Sequence, residues 1–332
     1  MKRIICTGEI MIRLTPPGHQ RLTQTQTLDV VYGGSESNVA ISLAQWGLPV
    51  RYLTRVPAHD LGTAALRALA TFGVDTSACV RGGERLGVYY LEMGIGKRPS
   101  RVIYDRAYSG MATLAPGMIP WPTVLTDAGW FHWSGITPAL SATAAAAMAE
   151  AVHAAADLGL ILSCDLNHRS ALWQYGITPA EIMPPLVSRC QVLMGDPDAF
   201  RLYFGLEADQ PDTLLRHVMT RFPDLRYVAM SRRRGHSATH NTYQVLGWNG
   251  QQFFASAEHD LPDIQDRIGS GDASMAGLIY ALCHYPDQPQ LAVDLAAAAG
   301  AWKHYVPGDA NLVSIPELES LISGHSGGRV QR

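Results

Sequence analysis

Residues 266–277 read Asp-Arg-Ile-Gly-Ser-Gly-Asp-Ala-Ser-Met-Ala-Gly: a glycine-spaced turn, a carboxylate straight after it, and then small and apolar residues. Gly269 and Gly271 open backbone conformations closed to residues with a Cβ, so the amides of Gly269, Ser270 and Gly271 can converge on an anion. The spacing predicts a helix over 273–282, whose N-terminal amides and positive dipole end would aim at the same point. Asp272, in its first turn, would stand beside a bound phosphate and could accept a proton from an attacking hydroxyl. The same Gly-x-Gly-Asp pattern also serves as a tight turn with an N-cap Asp. Its weight therefore depends on what the rest of the chain supplies.

A second glycine turn, Gly33-Gly34-Ser35-Glu36-Ser37-Asn38, opens an amphipathic helix expected over 39–46 and closed by Gly47. There the backbone permits close approach of a ligand, and the Asn38 amide can both donate to and accept from hydroxyls. A plain loop with an N-cap Ser fits the same residues. Residues 86–93 and 101–105 alternate apolar and polar side chains around a turn at 94–97, as half-exposed strands do. With 11–31 they could build one small sheet covering something, from which Tyr89, Tyr104 and Arg106 project. A cation flanked by phenols suits a hydroxylated or carboxylate-bearing small molecule; such aromatics also serve as packing.

From Trp130 the pattern is a regular alternation of strands and helices. Strands are expected at 131–135, 161–165, 191–194 and 227–230, and helices at 141–158, 179–189 and 212–221. Helical spans of this length imply right-handed crossovers and a mainly parallel sheet with helices on both faces, an α/β architecture. Ligands of such sheets sit at the carboxyl ends of the strands. Those ends carry Gly135, Asp165-Leu166-Asn167-His168-Arg169, Gly195-Asp196 and Ser231-Arg232-Arg233-Arg234-Gly235. The polar groups gather where a site would form.

The composition narrows the classes of function. With 332 residues, 47% apolar and 17% charged, the chain can bury a sizeable core as one large domain spanning 1–332, with a lid formed by roughly 11–33 and 86–110. The 26 basic and 29 acidic residues leave a net charge of −3, so no basic field argues for nucleic acid or an anionic membrane. Five scattered cysteines without metal-type spacing fit buried thiols in a reducing compartment. No apolar run approaches a membrane span, and Met1-Lys2-Arg3 leads into a short strand without a signal-peptide core. The expectation is a cytoplasmic protein.

With these residues in view, the chain resembles the ribokinase-like (PfkB) family of carbohydrate kinases, essentially end to end. The resemblance rests on Gly8 to Leu14, Gly33 to Ala40, Tyr104 to Ala107, Phe131 to Leu140, Asp165 to Trp173, Gly269 to Gly277, and Lys303 to Val313, in that order. It implies a ribokinase-like fold with a small β lid, ATP as phosphoryl donor, Mg²⁺, and a sugar acid such as 2-keto-3-deoxygluconate phosphorylated on a primary hydroxyl. By position, Asp272 would be the base, and the amides of Gly269, Ser270 and Gly271 the anion hole. Gly34 and Asn38 would meet substrate hydroxyls, Tyr89, Tyr104 and Arg106 would come from the lid, and Arg169 would pair with the substrate carboxylate. Asn167, Ser231, Arg233, Gly235 and Asn311 would line the nucleotide side. The residues themselves agree that an acid substrate needs arginines. The chain departs from the family at Asp196-Pro197-Asp198-Ala199, where an Asn-x-x-Glu motif usually organises Mg²⁺. Asp196 suits a metal, whereas Ala199 cannot hold one. Another sugar as acceptor, or a binding protein with weakened catalysis, stays open, and the lid strands offer an edge for a second copy of the chain.

Overall fold

In a computed structural model describing residues 2–324, the strands are β1 (Arg3–Thr7), β2 (Met11–Thr15), β3 (Asp29–Gly33), β4 (Val50–Leu53), β5 (Arg55–Val56), β6 (Val80–Arg81), β7 (Gly87–Glu92), β8 (Arg101–Asp105), β9 (Ala128–Ser134), β10 (Ile161–Asp165), β11 (Val192–Gly195), β12 (Tyr227–Ser237), β13 (His240–Trp248), β14 (Phe253–Ala255) and β15 (His259–Leu261). The helices are α1 (Ser35–Gln45), α2 (Asp60–Thr71), α3 (Trp121–Val124), α4 (Ile136–Leu140), α5 (Ala142–Asp157), α6 (Pro179–Val187), α7 (Pro197–Phe204), α8 (Pro211–Arg221), α9 (Ser270–His284), α10 (Pro289–Lys303) and α11 (Ile315–Ile322). No described helix is long and apolar enough to cross a membrane.

The large sheet runs β14-β13-β12-β11-β10-β9-β1-β4, parallel from β12 to β4 and antiparallel at the β12–β13–β14 end. Successive residues of one strand feed opposite cores, as the two-residue period requires. Ile4 and Cys6 pack toward α1, α9 and α10, while Ile5 packs with Phe131, Trp133 and α5 on the other face. This two-sided burial is why the central strands read as continuous apolar runs.

The second sheet, β3-β2-β7-β8, pairs β2 with β7 in parallel and the other neighbours antiparallel, leaving β3 and β8 as its edges within one chain. The sequence placed the end of the fourth parallel strand at Met230, but β12 continues through Arg232–Arg234 to Ser237. Polar residues that read as a loop extend there because β13 supplies a partner for their backbone groups. Likewise α1 begins at Ser35, ahead of the apolar stripe expected over 39–46.

Candidate active site

The carboxyl ends of β9, β10, β11 and β12, the start of α1 and the start of α9 enclose a cleft of about 430 Å³ roofed by the small sheet. Gly269 is the N-cap of α9 with φ 82°, a left-handed conformation, and a Cβ on it would collide with the Asp309 carbonyl oxygen. Glycine is thus required twice over at this turn. Gly34, the N-cap of α1, is pressed against the Glu9 carbonyl in the same way.

These two helix starts hold Asp272. Ser35 Oγ donates to its Oδ1 at 2.8 Å, and Asn38 Nδ2 donates to its Oδ2 at 2.7 Å. Positions 35 and 38 lie three apart on α1, hence on one face. Asn167, in a left-handed conformation with φ 37°, donates to Ser35 Oγ at 2.6 Å and reaches Asp272 at 3.5 Å. All of its hydrogen-bonding partners are neutral. Burial raises the proton affinity of Asp272, with the Asn38 and Ser35 hydrogen bonds working against that rise. A carboxyl so placed could accept a proton from a bound hydroxyl.

Two more acids lie beneath it. Asp165, at the end of β10, is raised to about 7 by burial and by the nearby Asp272 charge. Glu36, fully buried, is also raised to about 7, chiefly by burial, although Ser134 Oγ donates to its Oε1 at 2.7 Å. Its Oε2 has no hydrogen-bond partner. Because the folded proton affinity of Glu36 exceeds that of an ordinary glutamate, its contribution to stability is present below pH 4.5 and is lost as pH rises toward 7, by about 3 kcal/mol. Glu36→Gln should flatten that part of the melting-temperature profile between pH 5 and 8. An unchanged slope would show that Glu36 is not a source of it.

The structure brings together Gly34, Asn38, Tyr89, Tyr104, Arg106, Asn167, Arg169, Asp196, Ser231, Arg233 and residues 269–272 around this cleft. Several are committed to other partners. The Asn38 amide spends its Oδ1 on the Gly34 N–H as well as its Nδ2 on Asp272. Arg106 is buried in an ion pair with Glu9, whose other oxygen accepts from Ser109, and its guanidinium lies 5.5 Å from the Tyr104 ring. Arg169 is exposed, donates only to the His168 carbonyl, and forms no ion pair among the described residues. Gly235 and Asn311 line neither this cleft nor the adjoining one. Asn311 is buried and receives a hydrogen bond from the Val313 amide.

The acids and cations that fasten the roof were not apparent from the sequence. Arg13 of β2 bridges Asp266 at 2.7 Å and Asp309 at 2.8 Å, all three almost fully buried, and the Tyr89 hydroxyl donates to Asp309. Burial opposes the Arg13 charge, but the two carboxylates outweigh it and hold the guanidinium above its ordinary pKa. Asp266 accepts from the Ile268 amide at 3.0 Å, so this network joins the small sheet to the Gly269 turn. Lys303, fully buried, donates to the Val306 carbonyl at 2.8 Å and packs against Gly269. Lys303 and Asp309 fall in the Lys303–Val313 stretch that carries the family resemblance, where the sequence assigned them no role.

Asp196 caps α7 by accepting from the Ala199 amide at 2.8 Å. It lines both the main cleft and an adjoining one of about 470 Å³ that also carries Arg232, Arg233 and Arg234. Among the described residues no group of three or more His, Cys, Asp or Glu could cage a metal. One or two carboxylates with room for water and phosphate fit Mg²⁺ carried in by a nucleotide.

The pattern of pfkB family carbohydrate kinases matches residues 1–316. The chain is 31% identical to the 2-dehydro-3-deoxygalactonokinase of Haloferax volcanii over 98% of both chains. It is 28% identical to the 2-dehydro-3-deoxygluconokinase of Thermoproteus tenax over 97% of this chain and 94% of that one. The crystal structure of the 2-dehydro-3-deoxygluconokinase of Thermotoga maritima superposes with a TM-score of 0.93 at 36% identity, over 98% of this chain and all of the other.

Proposed function

The chain belongs to the pfkB family of carbohydrate kinases, and from that premise we propose that it transfers the terminal phosphoryl group of ATP to the primary hydroxyl of a 2-keto-3-deoxy sugar acid, with 2-keto-3-deoxygluconate as the leading acceptor. The observation that carries this reading is the pairing, in one cleft, of a base held by neutral donors with an arginine that has no acid of its own. Asp272 supplies the first and Arg169 the second. A hydroxyl-only sugar gives Arg169 nothing to pair with; a carboxylate takes its planar fork in a bidentate bond.

The acceptor O–H gives its proton to Asp272. Its oxygen forms the new bond to the terminal phosphorus while the bond from that phosphorus to the ADP oxygen breaks, and the electron pair leaves with ADP. The amides at 269–271 and the α9 dipole face the charge that spreads over the migrating group. Mg²⁺, when bound, neutralises phosphate charge, and Asp196 and Asp165 are the carboxylates that would hold it or its waters. Tyr104 and the β7–β8 edge of the roof exclude water from the acceptor.

The test is a coupled ADP-release assay with Mg·ATP and 2-keto-3-deoxygluconate, its galactonate epimer, gluconate, fructose and ribose. A keto-deoxy acid should give the highest kcat/KM, and Arg169→Ala should raise its KM by about 10- to 100-fold while leaving that of ATP within a few-fold. Preference for fructose or ribose, or indifference of the acid KM to Arg169→Ala, removes the acid clamp. ATP binding without turnover on any acceptor would make the chain a binding protein.

A further inference from the structure

Arg267 was given no role in the sequence reading, yet it lines the cleft directly before the Gly269 turn. Arg106, also at this cleft, is neutralised by buried Glu9, and Arg13, which pairs with the cleft residue Asp309, by Asp309 and Asp266. Arg267 is half-buried and forms no ion pair among the described residues. Its Nη2 is held by neutral acceptors, the Ala238 carbonyl at 3.1 Å and the side-chain oxygen of Asn241. The Asn241 amide, fully buried, is oriented for this: with its oxygen 3.2 Å from Arg267, its nitrogen donates to the His240 carbonyl at 2.9 Å. The guanidinium is therefore positioned without being neutralised.

A second cation adds to this. Arg233 lies close enough to depress the pKa of Arg267 further, after burial has already lowered it, and Arg233 too has no ion pair among the described residues. Two arginines that line one cleft without a carboxylate partner repel, a cost that a counter-charge between them offsets. The glycine turn at 269–271 lines the same cleft, and its amides can receive a phosphoryl group there. Of the run 232–234, Arg233 alone lines both clefts, while Arg232 and Arg234 line only the adjoining one. The Arg267–Arg233 pair thus stands at the passage between the cleft that holds Asp272 and the one that carries the rest of the arginine run.

We propose that Arg267 and Arg233 form a two-arginine clamp on the terminal phosphate of the nucleotide, so that the site distinguishes a nucleoside triphosphate from a diphosphate by charge at that position. This rests on the kinase reading above. A clamp of this kind gains its counter-charge when ATP arrives and releases ADP once the phosphoryl group has left. It also supplies positive charge at the passage beside α7, where Ala199 offers no carboxylate for a metal.

Binding without turnover tests it. Affinities of the full-length protein for ADP and for a non-hydrolysable ATP analogue are measured by calorimetry with Mg²⁺ and no acceptor, for the wild type, Arg267→Ala, Arg267→Lys and Arg233→Ala. Arg267→Ala and Arg233→Ala should each weaken the triphosphate analogue by about 10- to 100-fold while ADP stays within threefold, and Arg267→Lys should fall between. Equal losses for both nucleotides, or none for either, would overturn the clamp even though the wild type binds ATP. A wild type that binds neither nucleotide sinks the kinase reading itself, and the clamp with it. Arg233→Ala, at an exposed strand position, keeps the test open should the Arg267 variants fold poorly.

Discussion

Asp272→Asn is expected to lower kcat by about 10²- to 10⁴-fold, the span a positioned general base contributes, with ATP and sugar-acid affinities preserved. The geometry adds a complication that can be turned to use. Asp272 receives hydrogen bonds on both oxygens, from Ser35 and from Asn38, and an asparagine would present an N–H₂ to one of these donors. If that N–H₂ faced Asn38, two donors would meet in a buried site, a cost of about 1–3 kcal/mol. Pairing Asp272→Asn with Asn38→Asp exchanges donor and acceptor across the same 2.7 Å contact and should recover stability. It leaves the carboxylate on α1, and turnover should stay low. Restored melting temperature without restored turnover separates the base from its scaffold; recovery of both would show that any carboxylate in the neighbourhood suffices.

On the proposed mechanism, the proton affinity of Asp272 also sets the pH dependence of turnover. Burial raises Asp272 above the ordinary aspartate range, so the active, deprotonated form is lost as pH falls through a value higher than that of a solvated aspartate. Asp165 and Glu36, both at about 7, stand within electrostatic reach of it. Each raises the cost of a further negative charge in the cleft. Mg·ATP and a sugar acid both arrive as net anions, and an acid paired with Arg169 removes the cation that lowers Asp272 and Asp165, so the acid limb of kcat should lie above that of kcat/KM for ATP.

What the sequence disclosed and what it withheld divide by distance along the chain. The Gly269–Asp272 turn, the helix after it and the Asp165–Arg169 strand end were legible because glycine, carboxylate and apolar period lie within a few residues of one another. The alternation of strands and helices from β9 to β12 was legible for the same reason. Glu9 with Arg106, and Arg13 with Asp266 and Asp309, were not. Their partners lie 97 and more residues apart, and no local pattern says which of many acids meets which arginine. Arg106 illustrates the consequence: projecting from a strand it looked free to bind a carboxylate, and only the fold shows that Glu9 already occupies it.

The Arg13 network gives the second large effect, in stability first and catalysis after. Arg13→Met keeps much of the side-chain volume and removes the charge, leaving Asp266 and Asp309 buried side by side without a cation. Breaking a buried pair on one side costs about 3–5 kcal/mol, and both acids would then rise in pKa or draw in water. The damage should reach the phosphate turn, because Asp266 fixes the Ile268 amide and the Asp309 carbonyl presses on Gly269. Arg13→Lys is the sharper probe. One ammonium cannot match a guanidinium that spans two carboxylates through separate nitrogens, so partial recovery of melting temperature with a persistent loss of kcat is the expected result. Arg13→Met with Asp309→Asn removes one of the stranded charges and should regain part of the stability. If the single Arg13→Met variant melts within 1 kcal/mol of the wild type, the small sheet is not fastened to the phosphate turn through this cluster; its hold would then rest on the Glu9–Arg106 pair at the other end of the roof.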